Sequence, residues 1–413
     1  MKPAAVPRWM RTALVRGALA FAAVTLVGQA VALAVWIGGG PGSLGTTPRI
    51  GWLYTCSFLA VPLDLLTRAS GAQAAPLSGG VAVTLLTGTA VLVWAAWDSG
   101  RRAARVAGEG WVRVVAGASV GPVVGVLTLA GCVVVGHLIG ISVSLPRNPV
   151  INDVQVQPEL LAAFVWPTLL AGLAGAAGGL SATSPRGGDG RALLRVAVEA
   201  GTKMLLIAML GALGFALLIA ATRPDATAAY VRTVTGSSGA VTAAAVGHHV
   251  LALPNQSVWL LAVATGGCDE IVSARVNIDA VCLDTLPEEI SLDLLTPGTG
   301  SSPATRGAPW EFLLLPLVPL AATVAGGVHA ARASSARWPP AVPGAAAGVV
   351  FGLTLGVASL LSGVTLSGAL LAGVDGSVRY GPDPWIASIL GLAWGLVGGG
   401  AGSWLAARYR PQR

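Results

Sequence analysis

Charged residues are scarce in this chain of 413 residues, of which they make up 10%, against about a quarter in an average soluble domain. Lysine occurs only at positions 2 and 203, and tyrosine, histidine and cysteine occur four times each. So little charge cannot cover the surface of an ordinary soluble protein of this length. Hydrophobic residues instead make up 54% of the chain and glycine occurs 56 times, which is typical of membrane helices.

Eight apolar stretches are long enough to cross a membrane, because a bilayer core of about 30 Å needs roughly 20 residues of helix. They are residues 13–38, 77–97, 114–142, 158–181, 203–222, 310–330, 341–365 and 384–407. Two further apolar stretches, 50–66 and 238–266, are each interrupted by a proline. The expected fold class is therefore all-α, a polytopic membrane helix bundle.

The basic residues orient these spans, because cytoplasmic loops are enriched in arginine and lysine. With both termini in the cytoplasm, 17 of the 25 basic residues lie inside and 14 of the 18 acidic residues lie outside. The net charge of +7 is then an orientation signal and not a nucleic-acid surface. The scarcity of lysine beside abundant alanine, glycine and valine indicates a GC-rich bacterial genome, so we expect the bacterial inner membrane. This topology requires 50–66 and 238–266 to be re-entrant segments that do not cross.

The stretch HHVLALPNQS, residues 248–257, places polar groups inside an apolar segment. Because Pro254 has no backbone N–H, we expect the helix to break near residues 253–255 and to return as a re-entrant hairpin. Polar side chains at membrane depth are functional candidates by default. The candidates are His248, His249, Pro254, Asn255, Gln256 and Ser257. Two alternatives stay open: these residues cap the broken half-helices, or they bind a solute.

The two halves of the chain resemble each other. RTALVRGALAFAAVTL is similar to RALLRVAVEAGTKMLL, which lies 180 positions later. In the last span of each half, an offset of 224 matches the following glycines: Gly175 with Gly399, and Gly178 with Gly402. We therefore expect two parallel repeats of four spans, residues 1–182 and 183–413, the second with an acidic outer loop at 267–308. Parallel repeats occur in transporters, and they also arise from plain gene duplication.

Cys268 and Cys282 are the only two cysteines outside apolar segments, and an extracytoplasmic location permits a disulfide between them. Two unpaired thiols are the alternative. GSSG at 236–239 matches the G-x-S-G of rhomboid intramembrane proteases, with His248 or His249 as a possible base. The serine, however, lies at the outer edge of the predicted hairpin, whereas the rhomboid histidine comes from a later span. We expect no enzyme, and an intramembrane serine protease is a remote alternative.

Other chemical signals are few. The chain contains neither H-E-x-x-H nor G-x-x-x-x-G-K-[ST], and we expect no metal and no cofactor. Glu199 and Lys203 are four residues apart, which favours an ion pair on the surface of one helix over a proton relay.

The stretch HHVLALPNQSVWLLAVATGGC resembles the streptophobe family, hydrophobic multi-spanning membrane proteins of Streptomyces and relatives, through L-x-L-P-N-Q-S-x-W and Gly-Gly-Cys. Its Pro-Asn…Trp element and glycine-rich helix ends are also similar to the actinobacterial PerM-like membrane proteins, which are linked to cell division and envelope integrity. The first resemblance implies localisation and topology and brings no activity. Two functions remain: a non-catalytic envelope or cell-division protein, or a small-solute or lipid transporter with its site at 240–266. The expected partners are the lipid bilayer and other envelope membrane proteins, with no nucleic acid.

Overall fold

A computed structural model describes residues 7–38, 43–69, 78–108, 110–144, 151–182, 190–222, 243–273, 277–282, 313–334, 338–368 and 377–409. The chain divides into two compact units, with the main division after residue 184. The first unit also contains residue 273 and two later pieces, 364–368 and 377–379. The predicted boundary after residue 182 lies two residues from this division, but the predicted halves left these later pieces in the second repeat.

The first unit is built from five helices and four strands of the first half of the chain. In chain order they are α1 (Arg8–Ile37), α2 (Thr47–Phe58), β1 (Leu63–Ala69), β2 (Ser78–Val83), α3 (Leu86–Val106), α4 (Trp111–Gly140), β3 (Ile141–Ser144), β4 (Ile151–Pro158) and α5 (Leu160–Ser181). The last nine residues of α4, Cys132–Gly140, wind as a π-helix.

The second half of the chain continues with the same kinds of element. They are α6 (Gly190–Thr222), α7 (Ala243–Ala264), β5 (Cys268–Ser273), β6 (Asn277–Cys282), α8 (Leu317–Ala333), α9 (Val342–Ser362), β7 (Val364–Gly368), β8 (Ser377–Pro382) and α10 (Pro384–Arg408). In the described residues, the order helix–helix–strand–strand–helix–helix–strand–strand–helix therefore occurs twice along the chain.

The eight strands in the described residues correct the prediction of an all-α chain, although helix dominates. In the first unit, antiparallel pairing gives the order β3-β4-β1-β2-β7. Hydropathy over 20 residues missed these strands because they are four to eight residues long and adjoin apolar helices. Residues 78–83, SGGVAV, were assigned to the span 77–97, whereas that helix begins at Leu86.

Six helices in the described residues are long and apolar enough to cross a membrane: α1, α4, α5, α6, α9 and α10. The other two predicted spans correspond to α3 and α8. Helix α3 contains Asp98 and three arginines in its second half, and α8 is 17 residues long. The chain is thus a multi-pass helical membrane protein, and its described part contains six apolar helices of full length.

Glycines let the helices of each unit approach closely. A trio meets in each: Gly100, Gly117 and Gly175 in the first unit, and Gly327, Gly344 and Gly399 in the second. A Cβ added at any of the six would collide with a backbone carbonyl oxygen of another member of its trio, so a larger residue would force the helices apart. Gly327 and Gly344 lie 227 positions after their counterparts Gly100 and Gly117. Gly399 lies 224 positions after Gly175.

The first helix of each half packs in an equivalent way, but its residues match at a different sequence offset. Gly17 of α1 lies against Val123, and Gly201 of α6 lies against Val350, which is 227 positions beyond Val123. These two glycines are 184 positions apart, whereas the sequence comparison matched the helices at 180. The two offsets differ by four residues, which is about one helical turn. A shift of one turn keeps the apolar residues on the same helix face, so the apolar pattern did not distinguish the two alignments.

Candidate functional site

The polar stretch HHVLALPNQS lies within α7 and does not form the tip of a hairpin. The helix is continuous from Ala243 to Ala264 with Pro254 inside it, so the predicted break at residues 253–255 is wrong. Proline removes one helical hydrogen bond, at a cost of about 3 kcal/mol. The turns that follow are almost fully buried and hold the helix in place. These buried residues are Val258, Leu261, Ala262, Val263 and Ala264.

The chain reverses ten residues later than predicted, at the end of α7. Gly266 adopts φ of +97°, a left-handed conformation that favours glycine. The N–H of Gly267 donates to the carbonyl oxygen of Ala262 at 2.9 Å, which closes the helix end. The indole Nε1 of Trp394 in α10 donates to the carbonyl oxygen of Thr265 at 3.0 Å. Thus α7 ends in a closed cap, and strand β5 begins directly after it.

Asn255 and Trp259, one helical turn apart on α7, converge on a single backbone oxygen. The Nδ2 of Asn255 donates to the carbonyl of Ser362 at 3.4 Å, and the Nε1 of Trp259 donates to the same carbonyl at 3.2 Å. Ser362 is the last residue of α9, so its carbonyl has no partner within its own helix. Asn255 and Trp259 therefore cap the end of another helix. We call these three residues the α7–α9 clamp.

The α7–α9 clamp is closed off from its surroundings by aromatic packing. Asn255 is 6% exposed and Trp259 is 8% exposed. The ring of Tyr380 packs edge-on against Trp259, with centroids 4.8 Å apart and planes at 84°. Gly381, at φ of +136°, brings the end of β8 against Gly363, and a Cβ at this position would lie 3.0 Å from the Cα of Gly363. The amide and indole N–H donors of the clamp thus both bond to a protein acceptor in a buried contact.

The other candidates in this stretch are only partly involved. The hydroxyl of Ser257 is buried and donates to the carbonyl of Leu253 at 2.8 Å. Pro254 and Gln256 are half-buried. The backbone of His248 and His249 is helical, but their side chains lie outside the described residues, as does GSSG at 236–239. The structure therefore brings Asn255 into a contact that the sequence did not identify and leaves the protease hypothesis without described geometry.

The two outer cysteines lie opposite each other on the β5–β6 hairpin. Cys268 and Cys282 are direct cross-strand partners, and Cys268 is disulfide-bonded. The remaining cysteines of the chain, Cys56 and Cys132, are free and buried. The bond thus fastens the hairpin at its first and last residues.

A charged cluster joins α6 and α8 in the second unit. Lys203 Nζ lies 3.0 Å from Glu199 Oε1, as the i,i+4 spacing predicts. It also lies 2.8 Å from Nε2 of His329, which the sequence did not single out. The two partners are 126 positions apart, so only the fold brings them together.

No family model, curated protein or solved structure matches this chain.

Proposed function

We propose that this chain is a non-catalytic membrane protein of the bacterial envelope, of the kind that the PerM-like resemblance implies. The observation that carries the proposal is the α7–α9 clamp. Its polar groups are buried and satisfied by protein, whereas a solute site needs polar groups that face a cavity. Asn255 and Trp259 therefore serve packing.

The strand pairing supports eight crossings, more than the six apolar helices alone. In the first unit, β1 and β4 are paired along their length, from Leu63 with Pro158 to Ala69 with Ile151. The β1–β2 hairpin and the β3–β4 hairpin therefore lie at the same end of that unit. Helix α3 leaves this end and α4 returns to it, which makes α3 a crossing helix despite its charges. The same element order in the second half supports α8 as a crossing helix.

This arrangement supports an orientation in which the hairpins are extracytoplasmic and both termini are cytoplasmic. The arginines of α3 lie at its far end from the hairpins, which is the cytoplasmic end by the positive-inside rule. Reporter fusions after Arg105, Arg195 and Arg332 are expected to read as cytoplasmic, and fusions at Ser144 and Gly368 as external. Opposite readings after Arg195 and Arg332 would reject eight crossings.

The repeated element order and the matched glycine trios support two parallel repeats. Such repeats occur in transporters, and this keeps a small-solute or lipid transporter as the second candidate. Its predicted site, however, relied on a broken helix around Pro254, and α7 is continuous there. The hairpins on one side instead offer a surface for other envelope membrane proteins.

The test is deletion of the gene, followed by complementation with the wild-type chain and with Asn255→Leu. We expect deletion to alter envelope integrity or division and to leave the profile of small metabolites unchanged. Asn255→Leu should restore function in proportion to its abundance, because the lost contact affects folding. Normal abundance with a selective loss of uptake or export would instead favour the transporter.

A further inference from the structure

The charged cluster of Glu199, Lys203 and His329 lies on the exposed surface of the second unit. The side chains of Lys203, Glu199 and His329 are 44%, 51% and 40% exposed. Ionisable groups on the outside of a helix bundle are costly inside hydrocarbon and are tolerated near the head groups. His329 lies four residues before the end of α8, about 6 Å along the axis, which fits the head-group level.

The contact between Lys203 and His329 fixes the roles of the ring nitrogens. The ammonium of Lys203 has only donors, so Nε2 of His329 accepts its hydrogen bond and Nδ1 is the ring nitrogen that donates. Glu199 accepts from the same ammonium. The cluster therefore presents an ammonium, a carboxylate and an imidazole N–H donor within a few ångströms.

The surroundings of the cluster match a lipid molecule. Leu206, Ile207 and Leu210, which follow on α6 towards the bilayer interior, are exposed and apolar, as acyl chains require. In the other direction lie Arg195 on α6 and Arg332 on α8. The cluster thus lies between an apolar helix surface and a basic helix end, where the phosphates of a leaflet are found.

We propose that this cluster binds the head group of a zwitterionic phospholipid that carries a phosphate and a primary ammonium, as phosphatidylethanolamine does. Lys203 and the N–H of His329 contact the phosphate, and Glu199 accepts a hydrogen bond from the lipid ammonium. A head group that is only anionic would meet the Glu199 carboxylate. A trimethylated ammonium would offer Glu199 no N–H.

The first half of the chain lacks this cluster, which provides an internal control. The positions that correspond to Glu199 and Lys203 at an offset of 184 are Val15 and Leu19. The position that corresponds to His329 is Arg102, which pairs with Asp98 on its own helix at 2.8 Å. Asp98→Asn is therefore a matched control, because it removes a half-buried carboxylate from an i,i+4 pair that does not join two helices.

The experiment titrates the purified full-length protein in detergent with dioleoyl lipids that differ only in head group, with the apparent melting temperature as readout. The head groups are phosphoethanolamine, phosphocholine and phosphoglycerol, and soluble phosphoethanolamine is a fourth ligand. We expect phosphatidylethanolamine to bind about tenfold more tightly than phosphatidylcholine, which is the effect of one charge-assisted hydrogen bond. Glu199→Gln should remove this preference, Lys203→Gln should weaken binding of all three lipids, and Asp98→Asn should change neither.

The comparison of lipids is made within each variant, so a general loss of stability does not imitate the result. Equal binding of the three lipids to the wild type would overturn the proposal, as would a preference that persists in Glu199→Gln. Tightest binding of phosphatidylglycerol would indicate a simple anion site. Equal stabilisation by soluble phosphoethanolamine would assign the site to a soluble ligand. The proposal requires only that the helices lie in a bilayer, so its failure leaves the proposed envelope function untouched.

Discussion

The two halves of this protein share their framework and differ in their polar contacts. Each has the same element order and a glycine trio at a helix crossing. In the second half, Trp259 donates from Nε1 to the end of α9. In the first half, Trp52 on α2 is also buried, but its Nε1 has no hydrogen-bond partner among the residues that the structure describes. The same framework therefore accommodates different polar contacts, and the clamp, the charged cluster and the disulfide all lie in the second half.

The largest expected effect concerns the glycine trios, which both halves contain. Gly175→Ala and Gly399→Ala should each destabilise the protein by about 3 kcal/mol, because the added methyl meets backbone that cannot move aside. Unfolding of the purified variants in detergent measures this. Gly214→Ala is the control, since nothing lies within 4 Å of its added Cβ, and it should stabilise the helix by up to about 1 kcal/mol. Tolerance of alanine at only one of the two trios would break the equivalence of the halves.

The next effect concerns the disulfide, which is present in one half only. Its loop contains about 15 residues, and the chain-entropy model assigns such a loop about 3 kcal/mol. The double variant Cys268→Ala/Cys282→Ala should therefore melt at a lower temperature than the wild type. Labelling with maleimide should modify these positions only after reduction. Equal labelling with and without reductant would show that the thiols are free.

The two tryptophans sharpen the comparison further. Trp259→Phe removes a hydrogen bond to Ser362 as well as ring volume, whereas Trp52→Phe removes ring volume alone. We expect Trp259→Phe to be about 1 kcal/mol more destabilising than Trp52→Phe, the net value of one hydrogen bond. Chemical denaturation of the two variants side by side measures the difference. Equal losses would mean that the α7–α9 clamp contributes through packing only.

The smallest effect is at the cap that ends α2 and α7. Ala60 adopts φ of +57° after α2, in the position that Gly266 occupies after α7. Because a left-handed conformation costs an L-residue roughly 1–2 kcal/mol, Ala60→Gly should stabilise the protein and Gly266→Ala should destabilise it, each by about 1 kcal/mol. Melting temperatures that move in the same direction for both variants would contradict the matched caps.

Sequence reasoning located the apolar helices well, because hydropathy over 20 residues depends little on tertiary contacts. It failed at Pro254, where burial of the following turns outweighs the lost hydrogen bond. It also missed strands such as 78–83, whose glycine, alanine and serine do not alternate in polarity. Among the site residues, Asn255 was named, but its partner Ser362 lies 107 positions away and is contacted through a backbone oxygen that no motif reveals.

The central claim is that Asn255 and Trp259 of α7 are packed and do not line a solute pathway. The direct measurement is the reaction of Asn255→Cys with a small charged thiol reagent in intact cells, with Ser43→Cys in the exposed turn before α2 as the reactive control. We predict that Asn255→Cys stays unlabelled while Ser43→Cys reacts fully. Rapid labelling of Asn255→Cys, in a protein that retains wild-type abundance and melting temperature, would contradict the account and place an aqueous cavity beside α7.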